Sequence, residues 1–299
     1  MMDDQALSWR HRWLMAIRPR TLPASITPVL VGSAAAYAHG RFGIFPAAAA
    51  LVGSLLLQVG VNLANDYFDG KRGYDTPDRI GPVRVTGSGL IAPVTVRNAM
   101  LFAFFLVALI GLYLVFVGGW PILAAGVASI LAALAYSGGP YPLASHGLGD
   151  LFVFIFFGLV AVSGSYYVQA LTLAPLVLAA SVPMGFLITA IIVVNNLRDI
   201  NTDARVGKRT LAVILGAKAA RKEFVWLVAA SYLAAVLLWF MKDTNPWMLL
   251  PLVSVPFALR TARKVISTRG PALNEALAST ALLSLLYGVL LSAGLALSK

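Results

Sequence analysis

The sequence predicts an all-α polytopic membrane bundle with nine transmembrane helices and a cytoplasmic N-terminus. Three observations carry that prediction. Apolar residues make up 59% of the 299-residue chain and charged residues only 12%, with a mean hydropathy of +0.83, far from the balance of a soluble domain. The apolar residues gather into nine segments free of Asp, Glu, Lys and Arg, and the 23 Lys and Arg residues divide very unevenly among the loops between them.

In chain order, the start MMDDQALSWRHRW lacks the apolar core and cleavage site of a signal peptide, so entry into the membrane is expected through the first span. The uncharged segments run 22–39, 43–65, 98–117, 120–142, 151–169, 173–196, 224–241, 244–259 and 276–297. Gly118-Gly119-Trp120-Pro121 separates the third from the fourth, since Gly and Pro punctuate helices where hydropathy does not change. The eighth segment is short for a perpendicular span, which needs about 20 residues, and it contains Pro251 and Pro256. Neighbouring helices can satisfy the carbonyls those prolines free. Small residues such as Ala34-Ala35-Ala36 and Ala132-Ala133 suit close helix packing in lipid.

Loop charge tests the count, because Lys and Arg are retained on the cytoplasmic side. Twenty of the 23 fall before the first segment or in the loops after the second, sixth and eighth; only Arg41, Lys242 and Lys299 fall on the other side. The division supports nine spans in a single integral-membrane domain, 1–299, with membrane lipids as its surroundings. The net charge of +11 is then a topology signal, and nucleic acid is not an expected partner. With no cysteine, disulfides and thiolate metal sites are excluded, and three scattered histidines argue against zinc.

Acidic residues are scarce, and they cluster. Of twelve Asp and Glu residues, Asp66, Asp69, Asp75 and Asp78 lie between Asn62 and Arg84, at the cytoplasmic end of the second segment. A second cluster spans 195–209, from Asn195 and Asn196 through Asp199 and Asp203, at the end of the sixth. Their equivalent places hint at an internal duplication. If the helices continue through the clusters, Asn62, Asn65, Asp66 and Asp69 stand at relative positions 0, 3, 4 and 7, and Asn196, Asp199 and Asp203 at 0, 3 and 7. Each set then shares one helical face.

Carboxylates this close at a membrane edge repel one another and need a polar cavity and a compensating cation. Magnesium accepts carboxylates, keeps water, and bridges to substrate phosphate. Lys71, Arg72, Arg79, Arg84, Arg198, Arg205, Lys208 and Arg209 are interleaved with the acids and are candidates to grip phosphate oxygens. The bland alternative is that these loop charges pair with one another and solvate helix ends. A magnesium-held diphosphate fits the combination best.

NDYFDGKRGYD and NNLRDINTDARVGKRTL resemble the paired Asp-rich motifs of the UbiA superfamily of intramembrane aromatic prenyltransferases. Within it, RPRTLPASITPVLVGSA (18–34), DTPDRIGPVR (75–84) and YPLASHGLGD (141–150) resemble the branch that prenylates 1,4-dihydroxy-2-naphthoate on the way to menaquinone. The five residues between Asp69 and Asp75, against the commoner three, suit that branch. The resemblance implies two magnesium ions held by Asp66, Asp69, Asp199 and Asp203, with Asn62 and Asn196 assisting and Asp75 as a further ligand. It implies a polyprenyl diphosphate at Asn62, Asn65, Asn196 and the basic residues. The allylic cation left by departure of diphosphate would be attacked by the carboxyl-bearing ring carbon of the naphthoate, with loss of CO2 together with a proton. It also implies a bacterial cytoplasmic membrane with the site on the cytoplasmic side.

Other residues keep two readings. Asp150 could act on the aromatic acceptor or cap a helix; Tyr136 and Tyr141 could stack on the acceptor or belong to an interfacial aromatic belt; Arg20 could meet a carboxylate or diphosphate, or fix topology. Three rival functions fit the sequence less well. A 4-hydroxybenzoate prenyltransferase would share the aspartates but not DRIGPVR. A CDP-alcohol phosphotransferase would match Asp66-Tyr67-Phe68-Asp69-Gly70 but would need, shortly downstream in the same segment, an Ala-Arg and two further aspartates in its own pattern, which are absent. A transporter would carry acids along a pathway, whereas these gather at one face.

Overall fold

The computed structural model describes residues 7–75, 80–241 and 244–298. Helix α1 (Trp9–Ile17) begins where the Ser8 side chain accepts the His11 N–H, and it stacks Trp9 edge-on against Trp13. Arg18 takes a left-handed conformation and leads through the 3-10 turn Pro19–Thr21 into α2 (Pro23–Ala38), bent 45° from α1. Then come α3 (Ile44–Lys71), α4 (Pro93–Gly118) and α5 (Trp120–Ser137), the last two broken apart at Gly119, φ 71°. Helix α6 (Gly149–Val153) runs through a π-helical stretch, Phe154–Val160, into α7 (Ala161–Ala170). The remainder is α8 (Pro175–Arg205), the short α9 (Leu211–Leu215), α10 (Ala217–Trp239), a 3-10 segment Pro246–Ser254 leading into α11 (Val255–Ser267), and α12 (Leu273–Ala296). Proline opens α2, α4 and α8, the first helical position, where a missing N–H costs nothing.

Among the described residues seven helices are long and apolar enough to cross a membrane, or eight if the bent pair Trp9–Thr21 and Pro23–Ala38 is one span. The chain is an integral membrane protein, all-helical as expected, but the expected nine spans are not all continuous helices. Segment 22–39 qualifies only together with the bent helix before it, and segment 244–259 does not qualify. Pro251 and Pro256 remove backbone donors there, and the chain winds as a 3-10 segment that turns into an amphipathic α11 carrying Arg260, Arg263 and Lys264.

Two apolar groups form the bundle. One joins α2, α8, α10 and α12 around Met184, Phe224, Leu283 and Tyr287; the other joins α3, α4 and α5 around Leu63, Met100 and Phe104. In lipid, helices gain little from hiding apolar surface from one another, so close backbone approach holds them. Helix α2 lies against α7 and α12. A Cβ on Gly32 would come within 2.4 Å of the Val162 carbonyl oxygen, and one on Gly288 within 1.8 Å of the Thr27 methyl. Gly158 of the π stretch meets Gly185 of α8 in the same way, at 2.5 Å.

Overpacking of this kind costs about 1–3 kcal/mol or more. Gly288→Leu is therefore expected to lower the thermal unfolding midpoint of the detergent-purified protein clearly, whereas Gly126→Leu, where a Cβ meets nothing within 4 Å, should leave it nearly unchanged.

Candidate functional site

Helix α3 continues six residues past its uncharged segment, to Lys71, and α8 continues to Arg205, so both clusters are helical through their acids. The polar faces meet at one cavity of about 1410 Å³. Asn62, Asn65 and Asp69 from α3, and Asn195, Asn196, Asp199 and Asp203 from α8, line its polar end together with Arg84, Arg198 and Lys208. The rest is mostly apolar, walled by residues such as Ile122, Val127 and Ile130 of α5, Phe156 and Phe157 of the π stretch, and Leu277 of α12.

Charge at the polar end is balanced in pairs. The Asp69 carboxylate, 2% exposed, accepts from Lys208 Nζ at 3.2 Å and faces Arg84 Nη2 at 3.5 Å, so the second cluster's lysine crosses to the first cluster's acid. Arg84 also lies 3.6 Å from Asp75. Arg198 grips Asp199 through both oxygens, at 2.8 and 2.5 Å, and donates to Asn195 (2.9 Å) and to Asn274 at the start of α12 (3.0 Å). Asn62 donates to the Ile17 carbonyl (2.7 Å) and to Thr21 (2.9 Å), tying α3 to the bend between α1 and α2. Asn65 accepts from the Ser137 hydroxyl.

Not every expected residue comes to the cavity. Arg20 and Tyr136 line it; Arg79 lies outside the described residues. Asp66 is fully buried and turned away, its oxygens held by the Val85 and Thr86 amides. Asp75 is engaged by Arg84 outside the lining, and Lys71 is exposed. Arg72 donates to the carbonyls of Ser137 and Gly139, where the negative end of α5 attracts a cation, and does not reach the cavity. Arg205 and Arg209 are exposed; Arg209 joins His146 in an isolated bridge. Tyr141 stacks on His146 at 3.7 Å, away from the lining. Asp150 is buried at the start of α6 but makes no capping bond, which removes the capping reading; among the described residues neither of its oxygens has a hydrogen-bond partner. Arg18, the first residue of the 18–34 stretch, also lines the cavity and lies 3.5 Å from Asp66. Asn274 and Thr21, which fix Arg198 and Asn62, carried no sequence signal, since single polar residues at helix starts are common.

The donors fit magnesium in kind. They are carboxylate and amide oxygens, and among the described residues no three His, Cys, Asp or Glu side chains form a cage of their own. Such a site suits a hard cation that keeps waters and shares substrate oxygens.

An all-helical membrane bundle whose cavity has a charged oxygen-rich end and a long apolar body is a protein for an amphipathic substrate with an anionic head. The UbiA prenyltransferase family model matches residues 25–295, and the chain belongs to that family. It is 38% identical over its whole length to a 1,4-dihydroxy-2-naphthoate octaprenyltransferase of Escherichia coli, covering 99% of that protein, and 42% identical to one of Mycobacterium tuberculosis, with 96% and 98% of the two chains covered. Its fold matches a UbiA homolog from Archaeoglobus fulgidus bound to GPP and Mg2+ (TM-score 0.68, 15% identity, 94% and 99% covered) and one from Aeropyrum pernix (TM-score 0.71, 14% identity, 89% and 96% covered).

Removing one partner of a buried ion pair costs about 3–5 kcal/mol, because the other charge is stranded. Arg198→Met is expected to destabilise the purified protein by that order, and Arg198→Met/Asp199→Leu to recover much of the loss, read by denaturant unfolding in metal-free buffer.

Proposed function

We propose that this protein transfers a polyprenyl group from polyprenyl diphosphate to 1,4-dihydroxy-2-naphthoate, releasing diphosphate and CO2 and giving demethylmenaquinol. The observation that carries the reading is the cavity itself: a charged, oxygen-rich end joined to an apolar body that a prenyl tail can fill. The naphthoate acceptor is supported by the naphthoate octaprenyltransferases to which the chain is similar over nearly its full length.

In this reading Asp69, Asp199 and Asp203, with Asn62, Asn65 and Asn196, would hold two magnesium ions, which would supply positive charge to the diphosphate. Lys208, Arg84 and Arg198, already beside those acids, would neutralise the leaving oxygens as the allylic C–O bond breaks. The apolar walls would exclude water from the carbocation. Tyr136 and Arg20 would face the acceptor, Arg20 toward its carboxylate; the carboxyl-bearing carbon attacks, and the C–C bond to CO2 breaks, restoring the ring. Asp150 is buried and does not line the cavity, so it has no direct contact with the acceptor in this reading.

The reading includes one domain over 1–299, nine spans, and the site on the cytoplasmic side of a bacterial cytoplasmic membrane. Its support is the loop charge and the length of the eighth candidate: nine 3-10 residues and the five uncharged α residues before Arg260 reach about 26 Å, close to the core thickness of about 30 Å.

Given equal 1,4-dihydroxy-2-naphthoate and 4-hydroxybenzoate, the purified protein with magnesium and a polyprenyl diphosphate is expected to form the prenylated naphthalene product, identified by mass spectrometry; a benzoate product would move the acceptor but not the chemistry. Asp69→Ala and Asp199→Ala should each lower kcat/KM by about 100-fold or more. For topology, the cysteine-free chain allows single labels: Arg41→Cys should react with an impermeant maleimide on intact cells, and Arg97→Cys only after lysis.

A further inference from the structure

The two neighbouring acids of the first cluster send their oxygens to different places. Asp69 faces the cavity and its cations. Asp66, 0% exposed, does not line it; its Oδ1 accepts the Thr86 N–H at 2.8 Å, its Oδ2 accepts the Val85 N–H at 3.2 Å, and Arg18 Nη2 lies 3.5 Å from the same Oδ2. Bonds from backbone N–H to a carboxylate are charge-assisted and among the stronger anchors a loop can have. Two amides and a guanidinium thus already surround this carboxylate, and its oxygens face the loop and not the cavity.

The anchored amides belong to the loop 80–91, which is shaped to be held. The Ile91 N–H donates to the Val85 carbonyl (3.1 Å), the Ser88 N–H and hydroxyl both donate to the Arg84 carbonyl (3.0 and 2.7 Å), and Arg12 holds Leu90 from the α1 side (3.2 Å). Gly70 gives the loop room against α3: a Cβ there would come within 2.9 Å of the Thr86 methyl. Arg84, one residue from the anchor and 8% exposed, is thereby brought to Asp69 at the cavity.

We infer that Asp66 is a positioning residue and not a metal ligand: it locks loop 80–91 onto α3 so that Arg84 stands beside Asp69 at the diphosphate end of the cavity. This rests on the proposed diphosphate reading and divides the first cluster into one acid for the ligand and one for the loop.

The test uses the full chain in lipid nanodiscs, with Mn2+ binding followed by electron paramagnetic resonance in the presence of inorganic diphosphate. Asp66→Asn is expected to bind as many Mn2+ ions as the parent, whereas Asp69→Asn should lose affinity by about tenfold or more, the scale of one lost charged contact. Amide hydrogen exchange over 82–91 should speed up in Asp66→Asn and stay unchanged in Asp69→Asn. Kinetically, Asp66→Asn should raise KM for the prenyl diphosphate more than it lowers kcat, and add nothing further in an Arg84→Ala background, as expected for residues acting as a unit. Gly70→Val, which pushes the loop off α3 without touching an acid, should reproduce the exchange and KM changes with Mn2+ binding kept, and serves if Asp66→Asn does not fold. Loss of Mn2+ from Asp66→Asn equal to that from Asp69→Asn, or unchanged exchange over 82–91, would overturn the inference. Absence of Mn2+ binding by the parent would sink the diphosphate reading, and the exchange comparison would then decide the loop anchor alone.

Discussion

Everything at the polar end of this bundle follows from the cost of placing carboxylates against an apolar cavity inside a membrane. An uncompensated charge there is expensive, and three of the acids are visibly compensated: Asp69 by Lys208 and Arg84, Asp199 by Arg198, Asp66 by Arg18 and two loop N–H groups. These pairs link distant parts of the chain. Lys208 lies beyond α8 yet binds an acid of α3, and Arg198 reaches the start of α12 through Asn274. The same contacts that neutralise the site therefore fasten one half of the bundle to the other, while cations already in place stand ready for an anionic ligand.

The spans were legible because hydropathy in a bilayer needs no partner to be read: a run such as 98–117 must be helical whatever surrounds it. The acid walls were legible for a similar reason, since a 0, 3, 4, 7 spacing has meaning on any helix. What failed depended on tertiary partners. The winding of 246–254 is decided locally by prolines and by packing on α10 and α12. The separate fates of Asp66 and Asp69 are decided by a loop about twenty residues away, and no spacing rule records where that loop returns. Arg72 and Tyr141 were drawn to nearer partners, the Ser137 and Gly139 carbonyls and His146. In each case the residue type was right for its proposed task and the backbone sent it elsewhere.

Family membership and fold leave the assignment of individual groups open, because one fold can host different acceptors. Here the division of labour comes from geometry: oxygen donors on two facing helices, cations paired with them, and an apolar body extending away. The close glycine contacts at Gly32, Gly158 and Gly288 bear on the same site, since they set the helix spacing that leaves the cavity its width.

The π-helical stretch has a further meaning for that apolar body. Cavity-lining residues on this element fall at 152 and 153, 156 and 157, 160 and 161, 164 and 165, and 168, a repeat of four. On a regular α-helix, with 3.6 residues per turn, a four-residue repeat drifts about 40° each turn, so over the four repeats its face would swing roughly 160° around the axis. The wider turns of 154–160 take up part of that drift. They act as a phase correction, keeping one side of a long helix turned inward, so that a straight hydrocarbon chain meets a continuous wall rather than a spiral one.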